Sequence, residues 1–320
     1  MFSTSLQIIG ISVIAFIPIL IWAYIFSYLN NSELNSRRFL AGIIAGGISV
    51  VPVLYSEEIL NTLGIKSYNL LEILSSGVFE PLQISISLLI TILSVGIFSL
   101  IAGLLFIDNI SKIYRTYLKN LVFLNLFILI FLVLYYLIAD IGLLSGKIKN
   151  SVEIGKSVFG TTGLILLYYI IVGLLEESSK HFNFIPSSLA ESDTIKKGVM
   201  YAIFIALGFG FVENILYLFN IFRENGFSSE LISIWIFRGI FSLFVHILCS
   251  SLVIYSFIKM YLKNNKLNFN YVKTFLIAFS LSIAIHAIYD ISLTLDFTAI
   301  IFIYLIFGYL YVTKIFYKET

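Results

Sequence analysis

Apolar runs long enough to cross ~30 Å of hydrocarbon recur along this whole chain, and no other feature limits its folding so tightly. Nine can be marked: Leu6–Leu29, Phe39–Tyr55, Leu82–Ile107, Leu121–Leu144, Val158–Leu175 running on into two glutamates, Gly198–Ile221, Leu231–Phe257, Val272–Leu293 and Phe297–Tyr317. Phe39–Tyr55 is the shortest and is interrupted by Gly42, Gly46 and Gly47, which makes it the weakest of the set. In lipid every backbone N–H and C=O must be satisfied within the protein, and these runs are continuous rather than alternating, so they read as helices and not as barrel strands. Composition agrees: 59% of the 320 residues are hydrophobic, 12% are charged, and mean hydropathy is +1.01. The expected fold class is therefore all-α, a polytopic membrane helical bundle of about nine transmembrane helices.

The first run has no basic residue before it and is too long for a signal-peptide core, so it reads as a retained helix. Cys249 is the single cysteine; it can form no intrachain disulfide, and the paired spacing of a thiolate zinc site is absent. Most basic residues fall in alternate loops: Arg37 and Arg38; Lys112, Arg115 and Lys119; Lys180, Lys196 and Lys197; Lys259, Lys263, Lys266 and Lys273; Lys314 and Lys318. The other loops hold Lys66, Lys147, Lys149, Lys156 and Arg223. The positive-inside rule then places the N-terminus outside and the C-terminus in the cytoplasm. The basic residues are thus topology signals; with a net charge of +2 and no phosphate-binding loop, no nucleic-acid partner is implied. The stretch from Ser56 to Glu80, with Glu57, Glu58, Glu72 and Glu80, reads as a short solvated extracellular segment. One integrated membrane domain is expected, with residues 1–156 as a four-helix scaffold and 157–320 as the part that carries chemistry.

That division follows from where the ionisable residues fall. The first four runs carry almost none inside them, whereas Glu176, Glu177, Glu213, Arg238, His246, His286 and Asp290 all lie within or at the edge of later runs. Such groups normally face a bundle interior or a watery cavity, so successive helices that supply them imply one shared polar cavity. Glu176 and Glu177 are about 100° apart around a helix, and Lys180 follows at i+4 and i+3, positioned to pair with one carboxylate and leave the other free for proton transfer. Phe209, Glu213 and Tyr217 share a face, with Asn214 beside them and Gly208 and Gly210 thinning the helix just before. His286 and Asp290 are four apart, a spacing that lets a carboxylate orient an imidazole. Each residue also has a plainer role available. Glutamates near a helix end snorkel, a lone His246 packs, Asp290 caps its helix, Lys180 anchors at the interface, and His181, just beyond the acidic pair, is expected to be a solvated interfacial residue.

EExxK at Glu176–Lys180, FxxxE at Phe209–Glu213 and HxxxD at His286–Asp290, with Arg238 and His246 on a helix between the last two, resemble the PrsW family of intramembrane proteases. That family is grouped with type II CAAX prenyl proteases, bacteriocin-processing membrane proteins and, more distantly, the scaffold subunit of γ-secretase. The resemblance runs from Ile171 to about Leu293 and is interrupted by a long polar linker, Asn183 to Lys197. It implies a glutamate-dependent membrane endopeptidase in a bacterial cytoplasmic membrane, one whose relatives make the first cut in a single-pass anti-sigma factor. The implied partners are a membrane-protein substrate and the lipid bilayer.

In that frame Glu176 or Glu177 is the expected general base on a water, with the first glutamate favoured and Lys180 tuning the pair. Glu213 with Asn214 holds water or substrate. His286, oriented by Asp290, serves the oxyanion or the leaving amine; His246 is a second candidate, with Arg238 as electrostatic support and Phe209 at the motif's start. The cofactor is open between none and a divalent metal such as zinc, for which Glu213, His246 and His286 offer three ligands. Counted from span ends, Glu213 and His286 sit ~22 Å from the cytoplasmic side and Glu177 close to it, so either the fifth helix continues to about Phe184 and is tilted or the boundaries shift by a turn, and the side of opening is undecided. A CAAX-like or bacteriocin-processing peptidase, a non-catalytic scaffold and a proton-coupled transporter are the alternative functions.

Overall fold

A computed structural model describes residues 4–30, 36–54, 96, 162–264, 269–295 and 297–318. Eight helices follow in chain order: α1 (Thr4–Leu29), α2 (Ser36–Leu54), α3 (Thr162–Ser188), α4 (Ile195–Asn225), α5 (Ser229–Phe237), α6 (Leu243–Asn264), α7 (Phe269–Thr294) and α8 (Thr298–Lys318). A π-turn, Arg238–Ser242, joins α5 and α6 into one rod, and a 3₁₀ turn, Leu189–Glu191, follows α3. There is no strand among the described residues. By length and composition α1, α2, α4, the α5–α6 rod, α7 and α8 can each cross a membrane, and the fold is an all-α polytopic bundle. The runs Leu82–Ile107 (apart from Gly96) and Leu121–Leu144, and the segment Ser56 to Glu80, lie outside the described residues.

Helix ends follow local chemistry. The Thr194 side chain accepts the Lys197 N–H at 3.3 Å and starts α4; Gly226, at φ +64°, ends it in a conformation that costs a residue with Cβ. Ser228 accepts the Leu231 N–H at 3.2 Å to start α5, with Glu230 in the first turn.

Two structural differences from the sequence reading concern α3. It runs on past the glutamates to Ser188, beyond the Phe184 that the sequence allows for, and the supposed polar linker from Asn183 is helix for its first turn. Three polar side chains there are satisfied by their own helix: Ser178 Oγ donates to the Leu174 carbonyl, Asn183 Nδ2 to Ser179 O at 3.0 Å and Ser187 Oγ to Asn183 O at 2.5 Å. Residues whose hydrogen bonds close locally can be buried in a bundle, which a hydropathy count does not foresee.

Two apolar clusters share α4 and α6. Ile171, Phe182, Phe257 and Phe279 pack on the α3–α7 side; Phe26, Phe39, Phe204, Phe244 and Phe316 pack on the side of α1, α2 and α8. Outward residues such as Val13, Tyr24, Phe302 and Phe307 remain exposed, as a lipid-facing surface requires. The short α2 run is a helix pressed against α4 by glycines: a Cβ on Gly46 would strike the Ile205 carbonyl, and one on Gly208 would strike the Ile43 backbone.

Gly46→Leu and Gly208→Leu should each lower stability by about 1–3 kcal/mol or more. Gly10→Leu, with nothing within 4 Å of the new Cβ, should be near neutral. Thermal unfolding in detergent compares them, and equal effects at all three positions would contradict the close packing of α2 on α4.

Candidate active site

Glu176 and Glu177 lie in the middle third of the lengthened α3, Lys180 just beyond it, and all three are buried. Lys180 Nζ donates to Glu177 Oε1 at 2.6 Å and stands 3.9 Å from Glu176 Oε2. It also lies 2.9 Å from His246 Nδ1 and 4.5 Å over the Phe209 ring, which gives Phe209 of the second motif its place as a cation–π floor. An ammonium has no lone pair, so His246 Nδ1 must accept, and the ring proton is on Nε2. From there it bonds Glu213 Oε2 at 2.8 Å.

His286 is held the same way from the other side: its Nδ1 meets Glu177 Oε1 at 2.9 Å, and its Nε2 lies 3.5 Å from Glu176 Oε2. Each imidazole therefore has one nitrogen backed by a carboxylate and the other directed toward Glu176. Glu176 Oε2, 3.8 Å from His246 Nδ1, is buried and has no hydrogen-bond partner. At the Glu213 end, Arg238 Nη2 lies 2.9 Å from Glu213 Oε1, Arg238 Nε donates to Asn214 Oδ1 at 2.8 Å, and the guanidinium stacks 3.8 Å from the Tyr217 ring centre.

Glu176, Glu213, Arg238, His246 and His286 line a polar cavity of about 340 Å³. Its α3 wall is Tyr168, Tyr169, Val172 and Glu176, its α4 wall Glu213 and Tyr217, and it reaches the surface at Tyr217 and Thr294. Every wall climbs from the acidic pair toward the same end of the bundle: the start of α3, the ends of α4 and α7, and the start of α5. The opposite end carries Arg37, Arg38, Lys196, Lys197, Lys259, Lys263, Lys314 and Lys318. At the cavity end the only Lys or Arg near a helix terminus, among the described residues, is Arg223. The lengthening of α3 also removes the depth conflict, because Glu177 lies mid-helix and level with Glu213 and the histidines.

The structure thus brings together Glu176, Glu177, Lys180, Phe209, Glu213, Asn214, Arg238, His246 and His286. Asp290 is on the cavity wall with Oδ2 3.7 Å from His286 Nε2, beyond a hydrogen bond, so the carboxylate that orients His286 is Glu177. Lys180 belongs to no loop. His181 is not solvated: it is 4% exposed, with Phe257 and Phe275 each 5.0 Å from its ring centre. The wall of Tyr168, Tyr169 and Tyr289 was not singled out in the sequence, although Tyr168 and Tyr169 stand two turns before the glutamates on the same helix.

Glu176, His246 and His286 bring three donor atoms within 4.8 Å of one another, a carboxylate and two imidazoles of the kind zinc takes. Glu177, Cys249 and His286 form a second such group. Each group has one donor already engaged. His246 Nδ1 is bonded to Lys180, and Glu177 Oε1 already meets both Lys180 and His286 Nδ1. A dication among the first three would also face the Lys180 ammonium; unit charges 4 Å apart interact by about 4 kcal/mol at an effective dielectric of 20, and a dication by about twice that. As arranged, these residues do not fit a three-ligand metal site.

Comparison with known proteins identifies the family. Residues 117–315 match the family model described as PrsW family intramembrane metalloprotease, a region wider on both sides than the three motifs. Over 141 residues the chain is 28% identical to Protease PrsW of Clostridioides difficile (strain 630). That match covers 43% of this chain and 56% of the relative, so the chain spans about half the relative's length. No solved structure matches.

Lys180→Met should destabilise the fold by about 3–5 kcal/mol, because it strands a buried carboxylate. Adding Glu177→Gln should restore part of the loss. Chemical or thermal unfolding of the two single variants and the double one measures the coupling; purely additive effects would show that the pair is not what holds Lys180 in place.

Proposed function

The chain belongs to the PrsW family of intramembrane metalloproteases, and from that premise we propose that it is an intramembrane endopeptidase whose general base is Glu176. The observation that carries this reading is the Glu176 Oε2 atom: buried, without a hydrogen-bond partner, and held between two imidazoles on the wall of a polar cavity. A water placed there has one basic oxygen beside it. In hydrolysis Glu176 takes a proton from that water as its oxygen bonds the scissile carbonyl carbon. The proton then goes to the amine nitrogen as the C–N bond breaks.

The other residues divide the supporting work. Glu177 fixes His286 through Nδ1, leaving Nε2 beside the reacting centre; with the ring protonated at both nitrogens, Nε2–H donates a hydrogen bond to the oxyanion. His246 is tied at both nitrogens, so its part is to hold Glu213 and Lys180 rather than to move a proton. Arg238, paired with Glu213, adds fixed positive charge near the developing oxyanion. Lys180 supplies the buried cation of the cluster, and no step runs through a metal.

The cation-poor end of the bundle is the outer one by the positive-inside rule, so the cavity faces outward. An outward cavity suits a cut in a single-pass membrane protein at or just outside the bilayer, as in an anti-sigma factor. It does not suit a cytoplasmic prenylated tail.

The test is co-expression with a panel of tagged single-pass membrane proteins, anti-sigma factors among them. Wild type should yield a fragment whose new terminus maps to the outer half of the spanning segment or beyond. Glu176→Gln, at matched expression, should cut about 10²- to 10⁴-fold more slowly. Cleavage that survives Glu176→Gln removes the base assignment, and a new terminus on the cytoplasmic side removes the outward reading.

A further inference from the structure

The two tryptophans of the chain, Trp22 on α1 and Trp235 on α5, each donate to a main-chain carbonyl of the other's segment, and both carbonyls are ones that a helix irregularity has set free. Pro18 has no N–H, so the Ile14 carbonyl lacks its usual donor four residues on. Trp235 Nε1 donates to it at 3.0 Å. In the π-turn the Leu243 N–H goes to the Arg238 carbonyl instead of to Gly239, one residue nearer, and Trp22 Nε1 donates to the Gly239 carbonyl at 2.9 Å. The Pro18 ring lies where a Cβ on Gly239 would sit, 2.8 Å away, so the segments are also locked by shape. Trp22 is stacked on Phe26 and packed on Phe244, which fixes its ring.

We propose that this double indole–carbonyl clasp makes Trp22 a positioning residue for Arg238. The backbone that the clasp holds begins at Arg238 itself. Arg238 then bridges to Glu213 and Asn214, and Glu213 holds His246, which holds Lys180. A burial cost is avoided at the same time: without the indole the Gly239 carbonyl is left unsatisfied inside the bundle, and the π-turn is free to revert to regular α-helix. Reversion rotates Arg238 away from the cavity wall. Because Trp22 precedes the family match at residues 117–315, α1 enters the catalytic architecture as a brace that the family motifs do not contain.

The proposal rests on the protease reading for its catalytic consequence, and a measurement that does not need a substrate separates the two. The chain has five arginines, so the Nε–H signals of arginine-labelled protein in detergent are few, and Arg238→Lys identifies that of Arg238. In wild type this signal should be slow to exchange with solvent. In Trp22→Phe, which keeps an aromatic ring between Phe26 and Phe244 and removes the donor, it should exchange quickly, and Gly239→Ala, which pushes on Pro18, should act the same way. On a single-pass protein that wild type cleaves, Trp22→Phe should lower kcat about tenfold with KM unchanged, and should add little once Arg238→Lys is present. An Arg238 signal unaffected by Trp22→Phe overturns the clasp. A released signal with unchanged kcat overturns its catalytic role. If wild type cleaves nothing in the panel, the protease reading fails while the exchange result still decides the clasp.

Discussion

A lysine ammonium held among two glutamates and a histidine, inside helices that otherwise present hydrocarbon, is the interaction on which the rest of this site depends. An unpaired charge at that depth costs several kcal/mol, so Lys180 and Glu177 are tolerable only together and only in good geometry. Their pairing has a directional consequence: by occupying His246 Nδ1, Lys180 fixes that ring's tautomer and directs its proton to Glu213. Glu177 Oε1 is shared by Lys180 and His286, while Glu176 keeps a buried oxygen with no hydrogen-bond partner. Adjacent glutamates thus acquire different tasks through their neighbours alone.

The helices that hold this cluster are irregular where they must be. Glycines let α2 lie against α4, a π-turn resets the face of the α5–α6 rod, and a proline in α1 frees the carbonyl that ties α1 to that rod. Each irregularity leaves a backbone group or a gap that another helix fills, as lipid requires, since no water stands by to do so. The cavity climbs from the cluster to the end of the bundle that has few cations. A substrate approaching from there meets a wall of tyrosines before it meets the carboxylates.

Much of the fold was legible because membrane helices announce themselves by length and hydropathy: α1, α2, α4, α7 and α8 lie close to the runs read from sequence, and even the glycine-broken Phe39–Tyr55 is a helix. The extent of α3 was not, because Ser178, Asn183 and Ser187 look like loop residues until their bonds to their own backbone are seen. His181 misled for another reason: it is buried by packing against Phe257 and Phe275, with neither ring nitrogen hydrogen-bonded. The acidic pair, Glu213 and the histidines could be chosen from spacing, since one helix face carries each motif. Which carboxylate backs which imidazole could not, because Glu177 meets His286 across 109 residues of sequence and Asp290, four residues from it, does not. The tryptophan clasp was equally hidden, since it depends on main-chain carbonyls that sequence does not show to be free.

The account turns on Lys180 serving where a metal ion is expected in a family described as metalloproteases. The most direct measurement is the metal content of purified, cleaving protein together with its rate after exhaustive chelation. Sub-stoichiometric metal and an unchanged rate are the predicted result. One bound metal per chain, with activity lost on chelation and restored by zinc, would contradict it and require Lys180 to leave His246 in the working enzyme.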